Sequence, residues 1–353
     1  MIAAVIWFAV GLVCLIKGGD WFVDGATALA KRFRVPDILI GATVVSIGTT
    51  LPEVLVSATS AVTGHGEIAY GNAIGSIICN VALIAAITIT ICPAEVEKKS
   101  LKTPVLFFFL AAAYYVLNAY VFGTFSRLSG VILLALFVIY MFVTVKQMTK
   151  TGGGTALPQK DPNDGGEDLS RQEKKDVLRE LSRTQAQEGE TAEKEKPLPI
   201  TILLLVVGAA LIAIGADLLV DNGTLIAAAL GVPESVIALT FVALGTSLPE
   251  LVTAITSLAK GHGSLSLGNI IGANLFNLVL VCGVSITLSP FQVPVSAQIA
   301  GMNASLVIEI PVMLFVMLFL TIPALVRGKL SRVQGVVLLG VYAAFLCVQF
   351  LVL

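Results

Sequence analysis

Residues 36 to 83 align without a gap onto residues 233 to 280 at a constant offset of 197, and about 20 of the 48 paired positions are identical. Two apolar segments agree far less often by chance, so the chain is a duplicated half. The shared positions are Pro36/Pro233, Thr43/Thr240, Gly48/Gly245, Thr49/Thr246, Leu51/Leu248, Pro52/Pro249, Glu53/Glu250, Gly64/Gly261, His65/His262, Gly71/Gly268, Asn72/Asn269, Gly75/Gly272 and Asn80/Asn277, among others. Upstream, Asp20 and Asp24 keep the same offset to Asp217 and Asp221.

The medium of the fold follows from composition. The 353 residues are 56% hydrophobic and 13% charged, against about 25% charged in soluble domains, which excludes a soluble fold. Apolar stretches long enough to cross about 30 Å of hydrocarbon at 1.5 Å per residue fall near 2–30, 36–62, 68–92, 103–123 and 128–147, then near 198–229, 233–259, 265–289, 301–325 and 333–352. The start has no basic region or small-residue cleavage site and reads as a retained first helix.

Each half holds an odd number of spans, so the second copy enters the bilayer from the opposite side. The expected fold is an all-α polytopic membrane protein: ten transmembrane helices as two inverted five-helix repeats, with a binding site at the midplane and two near-equivalent conformations that alternate access. The expected division is residues 1–147 for the first repeat, 148–197 for a charged linker and 198–353 for the second repeat.

The basic residues set the orientation. Lys31, Arg32 and Arg34, then Lys98, Lys99 and Lys102, the linker, Lys260, and Arg327, Lys329 and Arg332 all fall on one side. They make up 20 of the 22 Lys and Arg; Arg127 lies on the other side and Lys17 within the first span. By the positive-inside rule both termini are outside and the linker is cytoplasmic, as in a protein of the plasma membrane.

Within the linker, Asp161, Asn163 and Gly166 match three positions of a calcium-binding loop, but Gly165 and Gln172 stand where ligands belong. Ser170 with Glu173 reads instead as a capping box before a short helix striped by Val177, Leu178 and Leu181. The five cysteines lack metal-ligand spacing or a paired framework and read as packing residues. His65 and His262 sit in matching Gly-His-Gly turns, open to a proton-sensing role or to that of plain turn residues. Asp20, Asp24, Asp217 and Asp221 either draw cations to the ends of the first span of each half or hydrogen-bond there. The net charge of -1 says nothing about partners, since the distribution carries the information, and no nucleic-acid partner is expected.

The chemistry concentrates in the second span of each half: Gly48-Thr49-Thr50-Leu51-Pro52-Glu53 and Gly245-Thr246-Ser247-Leu248-Pro249-Glu250. Proline removes a backbone donor and crowds the preceding turn, so the helix is expected to break at Pro52 and at Pro249 and to free carbonyl oxygens. Carbonyls, hydroxyls and one carboxylate per break are hard oxygen ligands, suited to Ca2+ and Na+. The absence of His, Cys and Met argues against Zn2+, Cu+ or Fe2+.

An ionised Glu at the bilayer centre costs roughly 2.5 to 3.5 kcal/mol on insertion scales, and this chain carries two. No Lys or Arg in the central spans except Lys17 neutralises them; protonated, hydrogen-bonded Glu remains the other reading. The third spans add Asn72, Ser76 and Asn80 on one helical face, and Asn269 and Asn277 in the second copy. Asn80 and Asn277 are placed to complete an ion shell between the carboxylates. Gly71, Gly75, Gly268 and Gly272 allow close helix packing with or without an ion.

GTTLPE with GNAIGSIICN, and GTSLPE with GNIIGANLFN, resemble the paired alpha-repeats of the Na+/Ca2+ exchanger family, and the likeness extends over all ten spans. It implies a secondary active antiporter in which Ca2+ and Na+ compete for one central cluster. By position it implies Glu53 and Glu250 as Ca2+ ligands with the backbone oxygens of Thr49 and Thr246. Flanking Na+ sites would draw on the carbonyls of Ser46 and Ala243 and on Thr50, Ser247 and Ser76, with Asn80 at the centre. Two departures stand out. Ala273 replaces a serine of many relatives and removes a hydroxyl from one Na+ site, and Asn277 replaces an aspartate of the K+-dependent relatives.

Ca2+/H+ exchange in the same fold is the nearest alternative, since two glutamates also release protons. A channel fits poorly because pores usually assemble rings across subunits, whereas this chain duplicates its site internally. No HExxH, GxSxG or paired Asp motif points to an enzyme. The implied partners are Ca2+, Na+ or H+ and the lipid bilayer, with no cofactor and no obligatory protein partner.

Overall fold

The computed structural model describes residues 2–93, 96–152, 197–229, 245, 247–294, 298–299 and 302–352. Among them, nine helices are long and apolar enough to cross a membrane. In chain order the helices are α1 Ile2–Phe33, α2 Asp37–Val62, α3 Gly66–Ile91, α4 Lys98–Phe122 and α5 Arg127–Gly152. Then follow α6 Leu198–Ala229, the shorter α7 Leu248–Ala259, α8 Gly263–Leu288, α9 Ser305–Arg327 and α10 Arg332–Val352. The capping-box and calcium-loop readings of the linker lie outside the described residues.

The ends of the helices show why the chain turns where it does. α2 and α7 finish in the same device: Gly64 and Gly261 adopt φ of +87° and +80°, a left-handed conformation that suits glycine. The next amide folds back, His65 N to Ser60 O at 2.8 Å and His262 N to Ser257 O at 2.7 Å. The two histidines then stand at the N-caps of α3 and α8. The duplication therefore reproduces its backbone turn as well as its letters.

Small residues bring helices of opposite repeats into backbone contact. α1 and α6 run antiparallel, with Gly11 against Gly215 and Gly18 against Gly208; a Cβ on Gly11 would lie 2.9 Å from the Gly215 carbonyl oxygen. α2 and α8 are closer still. A Cβ on Gly41 would sit 2.4 Å from Leu265 O, and one on Gly268 would sit 2.2 Å from Ile38 O. In a bilayer such contact, rather than hydrophobic burial, holds helices together. α2, α3 and α8 form the inner layer, with α3 and α8 the most enclosed, while α1, α5, α6 and α10 present apolar side chains outward.

Two features differ from the sequence expectation. Pro52 does not break its helix: the α-helical turns run from Ser46 through Pro52 to Val62. Gly48, one turn earlier, packs without a side chain against the Phe22 ring of α1, and packing of this kind holds the turn in place. The irregularity lies earlier, in a wide π turn at Gly41–Val45, where the Tyr140 hydroxyl of α5 donates to the Ala42 carbonyl at 2.8 Å. In the second copy Pro249 falls in the first turn of α7, after Ser247, where a missing amide costs nothing. Further π turns open at Asn80 in α3 and at Asn277 in α8, again at matching positions. The second difference is that α4 begins at Lys98 and carries Pro104 in its first turns, five residues before the apolar run.

Adding a methyl group at position 268 would drive it into the Ile38 backbone, which cannot move aside as a side chain does. Gly268→Ala is expected to lower stability by about 1–3 kcal/mol, seen as a fall in Tm of the detergent-purified protein. Gly340→Ala, at a site where nothing among the described residues lies within 4 Å, should leave Tm unchanged or slightly higher. Equal values for the two variants would refute the close α2–α8 approach.

Candidate functional site

The second helix of each repeat carries its glutamate inward, where the two chains of oxygen atoms meet. Glu53 and Glu250 are both 0% exposed, and their carboxyl groups lie against one another. Among the described residues no hydrogen-bond donor satisfies any of the four carboxyl oxygens. Among the described residues no Lys or Arg is buried with them. Buried polar atoms in folded proteins are nearly always paired, so a cluster of orphans marks a place where something else supplies the partner.

The orphans sit on helices packed against one another. Thr50 Oγ1, Ser247 Oγ, both side-chain atoms of Asn80 and both of Asn277 are buried without hydrogen-bond partners among the described residues. Asn80 and Asn277 begin the π turns of α3 and α8, a geometry that is frequent at functional sites because it re-aims one side chain. Around this set a second group of polar residues makes hydrogen bonds between helices. The Ser46 hydroxyl lies 2.8 Å from Gly41 O and 3.0 Å from Asn269 O. The Thr49 hydroxyl lies 3.3 Å from Asn269 Oδ1. Asn72 donates to Ser57 Oγ at 2.8 Å and to the Glu53 carbonyl at 3.3 Å.

Of the residues expected at the site, Glu53, Glu250, Thr49, Thr50, Ser46, Ser247, Asn80 and Asn277 are buried in this one region, 2% exposed or less. Ser76, 4% exposed, borders it from the wall of an adjoining cavity. Thr246 and Ala243 lie outside the described residues. Ala273, at the position that lacks a hydroxyl, is fully buried. Among the described residues no three His, Cys, Asp or Glu side chains converge. The donor set is two carboxylates among neutral oxygens, the chemistry of hard cations rather than of Zn2+ or Cu+.

The adjoining cavity, about 390 Å³, is lined by Asn72, Ser76 and Cys79 of α3, Glu309 of α9, and Tyr342 and Gln349 of α10, with apolar residues between. It lies at the end of the bundle that carries the His65 turn. Sequence reasoning passed over Glu309, although an acid within an apolar span is itself a signal. It also left Ser57 unnamed, whose role shows only in its bond to Asn72.

At the opposite end, charged residues pair with one another. Lys260 Nζ lies 2.7 Å from Asp24 Oδ1 and 3.4 Å from Asp20 Oδ1, tying α1 to the end of α7. His262 Nδ1 lies 2.9 Å from Asp37 Oδ2. Asp20 and Asp24 thus serve an ion pair between repeats. Position 63, the counterpart of Lys260, is a threonine bonded to its own helix and to His65.

Comparison with known proteins gives one consistent answer. The profile of the family described as sodium/calcium exchanger protein matches residues 3–146 and again residues 200–351. The chain is 32% identical over 365 residues to the sodium/calcium exchanger MaX1 of Methanosarcina acetivorans, covering 96% of each. It is 30% identical to the inner membrane protein YrbG of Escherichia coli, over 88% of this chain and 87% of the other. The fold superimposes with a TM-score of 0.75, at 29% identity and 98% coverage of both chains, on a solved structure of the sodium-calcium exchanger NCX_Mj soaked with Na+ and Ca2+.

The Thr49 hydroxyl finds its acceptor on α8 in Asn269 Oδ1, whereas Ser46 also reaches two backbone carbonyls. Asn269→Ala is expected to cost about 1–3 kcal/mol by depriving the buried Thr49 hydroxyl of that acceptor, measured as a lower Tm in Na+- and Ca2+-free buffer. An unchanged Tm would show that α2 is positioned without it.

Proposed function

This chain belongs to the sodium/calcium exchanger family, and from that premise we propose that Glu53 and Glu250 are the shared centre at which it exchanges Ca2+ for Na+ across a membrane by alternating access. The observation that carries the site is the pair of fully buried carboxyls, unpartnered by donor or cation, at equivalent positions of an inverted duplication. Ca2+ is held by Glu53, Glu250 and the backbone oxygens of Thr49 and Thr246. Na+ sites draw on Thr50, Ser247 and Ser76 and the carbonyls of Ser46 and Ala243. Asn80 and Asn277 complete the shell with their amide oxygens.

Charge explains the coupling. Two ionised glutamates are neutralised by one Ca2+ or by two Na+, and an empty pair carries two like charges away from water. At about 4 Å and an effective dielectric near 20, their mutual repulsion alone is about 4 kcal/mol, with desolvation in addition. The loaded forms escape that cost, so the conformations interconvert when an ion is bound and the empty carrier stays put. That is the condition for exchange rather than leak. The protein is a carrier: nothing in the cluster needs to make or break a covalent bond.

The distribution of basic residues supports an orientation in which both termini, the His65 turn and the cavity face outward. The His262 turn, Lys260 and the 148–197 linker face the cytoplasm of a cell whose plasma membrane holds the protein. On this reading residues 1–147 and 198–353 are the two repeats that rock about the site.

In proteoliposomes, uptake of 45Ca2+ is expected only under an outward Na+ gradient, and Glu53→Gln or Glu250→Gln should reduce it to background. Equal uptake driven by a pH gradient without Na+ would favour Ca2+/H+ exchange instead. Ala273→Ser restores a hydroxyl at one Na+ position, so half-maximal transport should come at lower Na+. A superimposable Na+ curve would show that this position does not limit Na+ binding.

A further inference from the structure

Glu309 is the single carboxylate among the described residues that line the 390 Å³ cavity beside the central site. It sits in the first turn of α9, within a segment long and apolar enough to span the bilayer. An acid there is costly unless it is used. Its placement is built rather than incidental. Residues Ser305–Glu309 form a π turn, and the Tyr120 hydroxyl of α4 donates to the Leu306 carbonyl within it. Gln349 of α10 donates from Nε2 to Glu309 Oε1 at 3.1 Å, and among the described residues no donor meets Glu309 Oε2.

No Lys or Arg appears in the cavity wall, so the field of Glu309 is not neutralised locally. At the other end of the same cavity stand Ser76 and Asn72, and Asn72 donates to the backbone of Glu53 itself. A cation that enters beside Glu309 is therefore in the space that borders the central carboxylates. The first repeat has no such feature, since α4, the helix corresponding to α9, contains no acidic residue between Lys98 and Phe122.

We propose that Glu309, with the amide oxygen of Gln349, is a capture station for a divalent cation at the mouth of this cavity, raising the rate at which Ca2+ reaches Glu53 and Glu250 from that face alone. This inference rests on the exchange reading. Among the described residues no hydrogen bond joins Glu309 to a central ligand, its partner being Gln349, so it acts on entry and not on the bound state. A fixed negative charge in a low-dielectric cleft concentrates cations and raises on-rates by about tenfold or more, and added salt weakens the effect because the screening length falls to about 8 Å at 0.15 M.

The test is 45Ca2+/Ca2+ self-exchange, which needs no counter-ion, measured in right-side-out and inside-out vesicles bearing the full chain. Glu309→Gln should raise the KM for Ca2+ about threefold to tenfold at the face carrying His65, with KM at the other face and the maximal rate unchanged. Glu309→Asp, which keeps the charge, should stay near wild type. The gap between wild type and Glu309→Gln should shrink as N-methylglucamine chloride is added. An unchanged KM, an equal rise at both faces, a lower maximal rate with KM constant, or an Asp variant as impaired as Gln would overturn the proposal. If wild type performs self-exchange but shows no Na+-driven uptake, the counter-ion reading fails while this measurement stands.

Discussion

Two carboxyl groups shut away from water, pressed together, with no lysine or arginine against them, set the terms for everything around them. Left ionised and alone, they would be among the least stable arrangements a membrane protein can hold. The surrounding helices therefore bring oxygen rather than compensating positive charge: hydroxyls of Thr50 and Ser247, amides of Asn80 and Asn277, all without partners among the described residues. Around them Ser46, Thr49 and Asn72 are held by hydrogen bonds to neighbouring helices, Ser46 and Thr49 through oxygens of Asn269. The centre is thus a set of unpartnered oxygens and amides inside a bonded surround.

Much of this architecture is written in the sequence because a duplication of an odd number of spans leaves few alternatives. Identity at an offset of 197 placed both glutamates, both asparagines and both histidine turns, and the structure returns them as matching turns and matching π segments. Hydropathy located nine spans to within a few residues among the described residues, most of the stretch expected at 233–259 lying outside them. It missed the start of α4, because lysines at the membrane surface continue a helix while contributing nothing to an apolar count. Pro52 shows where local rules stop. Its sequence context predicts a break, yet packing against other helices lets the helix continue, and the distortion lies at Gly41–Val45, which has no sequence signature.

Other parts were illegible because they depend on pairs that are far apart in the chain. That Asp20 and Asp24 answer Lys260, or that Asp37 meets His262, follows only once the two halves interlock. Glu309 was visible as a letter but not as a position. Nothing in its immediate neighbours indicates that a π turn directs it into a cavity shared with Ser76. The two repeats are also less alike in chemistry than in backbone: Lys260 faces Thr63, Ser76 faces Ala273, and Glu309 has no counterpart. Pseudo-symmetry supplies the two conformations, and these differences decide what each face of the membrane offers an ion.

The contact between α2 and α8 is made of main chain, at Gly41, Gly268 and Gly272, with scarcely a side chain intervening. Such a joint has no rotamers to rearrange, so the spacing between the two helices is as stiff as the peptide itself. For protein engineering this divides the interior into two kinds of position. Those at the joint act as a fixed gauge, and libraries that vary them would mostly return inactive clones. The diversity worth exploring for altered ion preference lies in the small side chains that hang inside the gauge, beginning with the mismatched pair at 76 and 273.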